Sequence, residues 1–236
     1  MKVVREIVLD TETTGLEPAY GHRIVEIGAI ELINKVETGK KFHHYINPQR
    51  DMPKDAYAVH GISEKFLQDK PKFEEVVDDF LNFIDNATLV IHNAIFDIKF
   101  LNHELGRLKK PSIDFNSAID TLVLARKLFP GSRVSLDALC RRFKVDNSSR
   151  KFHGALLDAK LLAEIYIEML GGRQESFIFS GGPKNKENNE IISTAAYLST
   201  IKSKVVYPDE SEIRGHKILI KKIQNPIDVS IFELNL

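Results

Sequence analysis

Cysteine is almost absent from the chain, which has one, Cys140, among 236 residues. A single cysteine excludes an internal disulfide and a zinc site built from cysteines. Cys140 follows Leu136 and Leu139 and precedes Phe143 at helical spacing, so we expect it in the protein core. This sparing use of cysteine is typical of a reducing compartment.

Long apolar runs are also missing. No stretch reaches the roughly 18 apolar residues that a membrane-spanning helix needs. At the N-terminus Arg5 and Glu6 interrupt the apolar residues, which makes a poor signal peptide. Cleavage there would also remove a predicted strand, so we expect a cytoplasmic protein.

The chain carries no excess of charge of either sign: 33 lysines and arginines balance 33 aspartates and glutamates, for a net charge of +0. Proteins that coat nucleic acid are usually basic. If this chain binds nucleic acid, we therefore expect a small local contact. Hydrophobic residues make up 43% of the sequence, which is enough for a folded core.

The apolar patterns predict strands that alternate with helices. Short β-branched or alternating runs indicate strands, and apolar residues at three- and four-residue spacing indicate helices. The predicted strands are 7–9, 23–33, 41–47 and 88–91, and the predicted helices are 73–84, 94–108, 119–129, 135–143 and 154–170. Three meandering strands followed by this alternation predict an α/β domain with a mixed sheet flanked by helices, over residues 1–172.

The remaining sequence has a different character. Residues 180–189 are polar, contain glycine and proline and show no apolar period, which is typical of a linker. We therefore assign 173–189 as a linker region. Residues 190–236 have short apolar patches without a large core, and we interpret them as a small tail module or a docking segment.

Two carboxylates, Asp10 and Glu12, follow the first predicted strand at a spacing of two, so they share one face. Neighbouring carboxylates repel each other unless a cation lies between them. Considered alone, such a pair is more often a solvated strand end.

Two further acids border predicted core helices. Asp97 lies in a first helical turn, where the helix dipole alone would favour it, but it also neighbours the buried stripe through Leu101. Asp158 shares a helix face with Leu162 and Ile165. A carboxylate beside a core requires a partner.

His153 precedes Asp158 by five residues, or about 500° of ideal helix, which is roughly 140° away from alignment. Both side chains can face one site only if His153 lies at or before the helix start, and Gly154 permits that turn. Otherwise His153 is an incidental loop residue. Its unperturbed pKa, about 6.5, suits a proton acceptor near neutral pH.

The four carboxylates come from three separated segments, each beside a core element. Oxygen ligands of this kind suit hard divalent cations such as Mg²⁺ or Mn²⁺. The combined pattern therefore indicates a metal site with a histidine beside it.

The sequence resembles the DnaQ-like 3′→5′ exonucleases of the DEDDh type, and among them the epsilon, or proofreading, subunits of bacterial DNA polymerase III. The motifs occur in the expected order between about residues 5 and 173. They are IVLDTETTGL (7–16), RIVEIGAIEL (23–32), VHGIS (59–63), LVIHNAIFDIKFL (89–101), SLDALCRRF (135–143) and HGALLDAKLLAEIY (153–166). The resemblance implies a ribonuclease H-like fold.

The resemblance also implies roles for individual residues. The implied metal ligands are Asp10, Glu12, Asp97 and Asp158, with His153 as the general base; all five are the implied catalytic residues. The implied substrate contacts are Asp10, Glu12, Thr13, Asp55, His60, His92, Asn93, Phe96 and Asp158. Two alternatives stay open: His60 as a plain loop histidine, and Asp120 as either an outer carboxylate or a helix cap.

The implied reaction is phosphodiester hydrolysis with two divalent ions, Mg²⁺ or Mn²⁺, about 3.5–4 Å apart. Asp10 would bridge the ions, and the product would be a nucleoside 5′-monophosphate from the 3′ end of DNA. An RNA-trimming exonuclease of the same superfamily is the alternative. A non-enzymatic relic would be expected to have lost a ligand, and a nucleotide-binding ATPase would need a phosphate-binding loop that is missing.

Partners are implied in the same way. The resemblance predicts that residues 190–236 dock on the alpha subunit of DNA polymerase III. It leaves open whether a small third core subunit also binds. Gln174, Phe177 and Phe179 resemble the short peptides that dock on sliding clamps; packing of both phenylalanines on the domain is the alternative.

Overall fold

The computed structural model describes residues 3–148, 150, 152–171 and 209–223. The chain divides into two compact units, Met1–Ile178 and Phe179–Leu236. In the second unit the described part is one helix, α8 (Glu210–Ile223). All other elements belong to the first unit.

Five strands form one mixed sheet in the first unit. They are β1 (Arg5–Thr13), β2 (Ile24–Ile33), β3 (Val36–Tyr45), β4 (Thr88–Ile91) and β5 (Ala118–Asp120). The order across the sheet is β3-β2-β1-β4-β5. The first three strands pair antiparallel, whereas β4 and β5 extend the sheet in parallel from β1. The predicted α/β architecture with a mixed sheet is confirmed.

Seven helices of this unit surround the sheet in the described residues. They are α1 (Lys54–His60), α2 (Glu64–Leu67), α3 (Phe73–Ile84), α4 (Ala94–Arg107), α5 (Thr121–Leu128), α6 (Leu136–Phe143) and α7 (Ala155–Met169). Two short 3-10 helices lie at Pro18–Tyr20 and Phe115–Ser117. Cys140 is fully buried on α6, as predicted.

The sheet has a hydrophobic layer on each face because successive side chains of a strand point to opposite sides. Ile7 and Leu9 of β1 pack into the layer that contains α3 and α4. Val8, between them, packs into the layer formed with Leu162 and Tyr166 of α7. Because the central strands are buried on both faces, their sequences contain nearly continuous apolar runs.

Gly28 permits α7 to lie directly on β2. A Cβ atom at this position would be 2.1 Å from the backbone nitrogen of Leu156 and 2.2 Å from the carbonyl carbon of Ala155. No residue larger than glycine fits there without moving the helix. The close approach holds the first turn of α7 against the sheet, and Asp158 lies in that turn.

Three features differ from the sequence-based expectation. The third strand begins at Val36, not at Lys41, because its polar, exposed first half shows no apolar alternation. Two of the three residues of β5, Ile119 and Asp120, lie inside the segment that was expected to be helical from 119. The helices α1 and α2 were not predicted, since each is short and exposes most of its residues.

Among the residues that the structure describes, no helix combines the length and the hydrophobicity needed to cross a bilayer. The linker at 173–189 lies outside the described residues, and so does 190–236 apart from the α8 segment. The domain boundaries at 172 and 189 therefore stay predictions.

Candidate active site

Four carboxylates from three elements meet beside the end of β1. Asp10 and Glu12 lie on β1, Asp97 lies in the first turn of α4, and Asp158 lies in the first turn of α7. Glu12, Asp97 and Asp158 are all buried, with exposed fractions of 8%, 3% and 3%. The structure thus brings together the four acids that the sequence singled out.

Asp97 is attached to β1 through Thr11. The Thr11 backbone nitrogen and hydroxyl donate to Asp97 Oδ1 at 3.0 and 2.7 Å. Burial raises the pKa of Asp97 to about 7, although these hydrogen bonds from Thr11 act to lower it. The Thr11 bonds therefore fix the start of α4 against the strand that carries the other two acids.

Asp10 and Glu12 are destabilised in their charged forms. Burial, followed by repulsion from Asp97, Glu12 and Asp158, raises the pKa of Asp10 well above its ordinary value. Burial and repulsion from Asp158 and Glu26 raise the pKa of Glu12 to about 8. A cation bound between acids that repel each other in this way would favour their ionised forms.

Asp158 is the exception, because Arg150 and His153 contact it. Arg150 Nε and Nη2 donate to its two oxygens, both at 2.6 Å, and His153 Nδ1 lies 3.4 Å from Oδ2. Burial acts to raise the pKa of Asp158, but the contacts with His153 and Arg150 outweigh it, and the pKa is lowered. Arg150 was not predicted as a site residue, because no recognisable spacing in the sequence links it to Asp158.

His153 precedes α7, as the sequence predicted, since the helix begins at Ala155. Its backbone nitrogen donates to the Val59 carbonyl oxygen at 3.1 Å, which ties the loop to the end of α1. The side chain is 48% exposed and is open to solvent on one side. An imidazole held beside buried carboxylates and open to water can exchange a proton with it.

A divalent cation fits this group of side chains. Glu12, His153 and Asp158 each offer one ligand atom, and these atoms all lie within 4.8 Å of one another. Carboxylate oxygens are the ligands that Mg²⁺ and Mn²⁺ prefer. The pKa values of Asp10, Glu12 and Asp97 are raised because burial and repulsion disfavour their charged forms, and a bound cation would favour those forms.

Glu26 is a further buried carboxylate beside the site, and it was not predicted from the sequence. It lies directly opposite Glu12 in the β1–β2 register. Its oxygens accept from the Ala155 backbone nitrogen at 3.2 Å and contact His43 Nε2 at 2.8 Å, so it anchors the start of α7. A charged residue inside the apolar run 24–30 was the available signal, but its partner depends on the strand register.

A cavity of about 640 Å³ adjoins the carboxylates through Glu12. Four other predicted substrate contacts line it: Thr13, Asp55, His60 and Phe96. The ring of His60 is buried; its Nδ1 accepts from the Ile62 backbone nitrogen at 3.0 Å, and its Nε2 has no hydrogen-bond partner. Burial lowers the pKa of His60, so the ring is neutral at physiological pH.

His92 and Asn93 lie outside the cavity wall. His92 Nδ1 is 3.0 Å from the Thr121 hydroxyl, and burial lowers its pKa. Asn93 stands at the N-cap position of α4, but its side chain makes no capping bond. Asp120 caps α4 instead, accepting from the Asn93 and Ala94 nitrogens at 3.2 and 3.1 Å.

The Asp120 carboxylate also accepts from the Leu122 nitrogen at 2.8 Å at the start of α5. Of the two roles left open for Asp120, the structure therefore supports helix capping. The peptide of the clamp hypothesis, with Gln174, Phe177 and Phe179, lies outside the described residues.

Comparison with known proteins places the chain among exonucleases. The RNase_T family model, described as Exonuclease, matches residues 7–166. The DNA polymerase III subunit epsilon of Rickettsia typhi is 58% identical over 226 residues, which cover 94% of this chain and 98% of the relative.

Two solved structures share the fold. One is exonuclease X in complex with 5′ overhanging duplex DNA, at 30% identity, with a TM-score of 0.55, covering 71% of this chain and 91% of that one. The other is the nuclease domain of 3′hExo, a DEDDh family member bound to rAMP, at 18% identity and a TM-score of 0.58, covering 72% and 92%. At that identity the second likeness concerns the fold alone.

Proposed function

Since the chain belongs to the RNase_T exonuclease family, we propose that it removes nucleotides from the 3′ end of DNA as the proofreading subunit of a bacterial DNA polymerase III. Family membership confirms the resemblance to DEDDh exonucleases that the motifs indicated. The ribonuclease H-like architecture expected from that resemblance is confirmed as well.

One observation carries the proposal: four buried or partly buried carboxylates and a solvent-facing histidine converge beside an open cavity. Asp10, Glu12, Asp97 and Asp158 would hold two divalent ions, Mg²⁺ or Mn²⁺. Such ions stabilise negative charge on a phosphodiester undergoing hydrolysis. The raised pKa values of three of the four acids support a role that requires bound cations.

The chain's own residues would bind the substrate and move the proton. His153 would accept the proton of the attacking water at an imidazole nitrogen, an effect typically worth about 10²–10⁴-fold in rate. The cavity lined by Thr13, Asp55, His60 and Phe96 would receive the terminal nucleotide. Its aromatic and hydrogen-bonding side chains suit a base and a sugar.

A preference for mismatched ends follows from the cost of unpairing. A mismatched terminus leaves the duplex more cheaply than a paired one, so it reaches a single-strand site more often. Editing then results from competition between extension and cleavage. The balanced charge of the chain suits a protein whose partner supplies most of the grip on DNA.

The proposed partner is the alpha subunit of the polymerase, bound through residues 190–236. A subunit named DNA polymerase III subunit epsilon that is 58% identical over 94% of this chain supports this assembly. A third small subunit, contact of Gln174, Phe177 and Phe179 with a sliding clamp, and a cytoplasmic location are further parts of the proposal.

The test is digestion of matched 5′-labelled single strands of DNA and RNA in Mg²⁺, with the native chain and Asp10→Ala. We expect a ladder that shortens from the 3′ end of DNA, with RNA much slower, and no ladder with Asp10→Ala. The control is Asp69→Ala, an exposed aspartate that should leave the ladder unchanged. Faster digestion of RNA would reassign the substrate, and full activity of Asp10→Ala would refute the proposed site.

A further inference from the structure

Arg150 contacts two of the proposed catalytic side chains at once. Its guanidinium donates to both oxygens of Asp158 at 2.6 Å, and its Nη2 lies 2.8 Å from His153 Nδ1. Because a guanidinium has only donors, it can bond this nitrogen only in the tautomer that leaves Nδ1 unprotonated. Arg150 therefore contacts both the Asp158 carboxylate and the His153 ring.

The arginine is held in place from its far side. Its side chain is 6% exposed, and its Nη1 donates to Asp137 Oδ1 of α6 at 2.6 Å. Asn147 Nδ2 donates to the same Asp137 oxygen at 3.1 Å. A planar fork that is buried and bonded at three nitrogens is fixed in position, unlike a surface ion pair.

We propose that Arg150 is a positioning residue that acts as the resident counter-ion of Asp158 and competes with the divalent cation for that carboxylate. The inference rests on the proposed cation site. In the absence of cation, Arg150 compensates the negative charge of Asp158. It also fixes the Asp158 carboxylate and the His153 ring before a cation arrives.

Competition follows from the position of the guanidinium. Both Asp158 oxygens are engaged by it, so a cation bound to either oxygen lies within a few ångströms of a positive charge. Such like charges repel strongly in a partly buried site. Neutralising Arg150 should thus strengthen cation binding while weakening the cation-free fold, because the buried Asp158 then loses its charged partner and keeps only the 3.4 Å contact with His153. If Arg150 had only a structural role, its replacement would weaken both cation binding and the cation-free fold.

The experiment measures Mn²⁺ binding by titration calorimetry, and thermal unfolding without metal, on the full chain cleared of metal by a chelator. The variants are Arg150→Gln, which removes the charge, and Arg150→Lys, which keeps the charge but loses the fork. The matched control is Arg141→Gln, an exposed arginine on α6. Only the Arg150 variants change the group beside Asp158.

We expect Arg150→Gln to bind Mn²⁺ about 10-fold more tightly than the native chain and to unfold at a lower temperature without metal. Arg150→Lys should lie between the native chain and Arg150→Gln in both Mn²⁺ affinity and unfolding temperature. If Arg150→Gln does not fold, the comparison of Arg150→Lys with the native chain tests the proposal. Arg141→Gln should match the native chain.

Mn²⁺ affinity of both Arg150 variants equal to or below that of Arg141→Gln would overturn the proposed competition. Absence of Mn²⁺ binding by the native chain is a different result, because it would refute the proposed cation site itself.

Discussion

The acid pair Glu12 and Asp97 makes the stability of the metal-free protein depend on pH. Their pKa values are raised to about 8 and about 7, from ordinary values of 4.5 and 3.8. Between the ordinary and the raised value, the folded state binds more protons than the unfolded chain. Linkage then requires that the free energy of unfolding falls as pH rises through this window.

We therefore expect the metal-free chain to lose stability between pH 6.5 and 8.5, by up to about 1.4 kcal/mol per pH unit for each of the two acids. The neutral His60 and His92 contribute an opposite trend, but it is complete above their ordinary pKa of 6.5. Urea unfolding in a chelating buffer measures the slope.

The matched variant is Glu12→Gln, which removes one of the two titrating acids and should flatten the fall. Saturating Mg²⁺ should raise the stability of the native chain most at the upper end of the range, because the cation favours the ionised acids. The same slope in Glu12→Gln and the native chain would show that Glu12 does not titrate as the structure indicates.

At the scale of elements, the contact between β2 and α7 determines where Asp158 lies. The missing side chain of Gly28 allows this contact, since a Cβ atom would collide with backbone atoms of Ala155 and Leu156 that have no freedom to turn away. Glu26, two residues earlier on β2, accepts from the Ala155 nitrogen and fixes the same turn.

Gly28→Ala should consequently displace the start of α7. We expect a loss of stability of about 3 kcal/mol, at the upper end of the range for overpacking, together with a loss of nuclease activity larger than the unfolded fraction explains. The control is Gly106→Ala in α4, where a Cβ meets nothing within 4 Å and alanine is the better helix former.

Urea unfolding and single-strand digestion of both variants give the two measurements. Gly106→Ala should keep its activity and match or exceed native stability. A Gly28→Ala variant as stable and active as the native chain would mean that α7 does not need its observed position on β2.

An element can be predicted from the sequence when the residues that determine it are close together in the chain. Buried strands and long amphipathic helices have local patterns, so β2, β4, α3 and α7 were predicted with nearly correct bounds, whereas only the apolar centre of β1, 7–9, was predicted. The strand β5 has three residues and α2 has four, which is too short for a periodic signal. Their existence follows from pairing and packing partners far away in the chain.

The same distinction applies within the site. Asp10, Glu12, Asp97, His153 and Asp158 stand in motifs that can be read locally. Arg150 and Glu26 act through contacts that only the folded chain creates, namely a loop folded back on a helix and a strand register. A short local pattern does not encode such contacts, and for this reason both residues were missed.

At the scale of the whole molecule, the nuclease residues and the proposed docking segment are separate along the chain. Every proposed ligand lies between residues 10 and 158, inside the unit Met1–Ile178, whereas the segment proposed to bind the polymerase lies in the unit Phe179–Leu236. The sheet, both hydrophobic layers and the cavity are formed by residues before 172. Catalysis and assembly should therefore be separable by truncation.

We expect a chain that ends at residue 180 to digest single-stranded DNA at a rate within about twofold of the full chain, because the described residues of the site and its cavity all lie before residue 172. It should no longer co-elute with the polymerase alpha subunit in size-exclusion chromatography. The full chain with Asp10→Ala is the complementary control: it should co-elute normally and show no digestion. Co-elution of the truncated chain would place the polymerase contact on the nuclease unit, and loss of its digestion would mean that residues after 180 support the catalytic site.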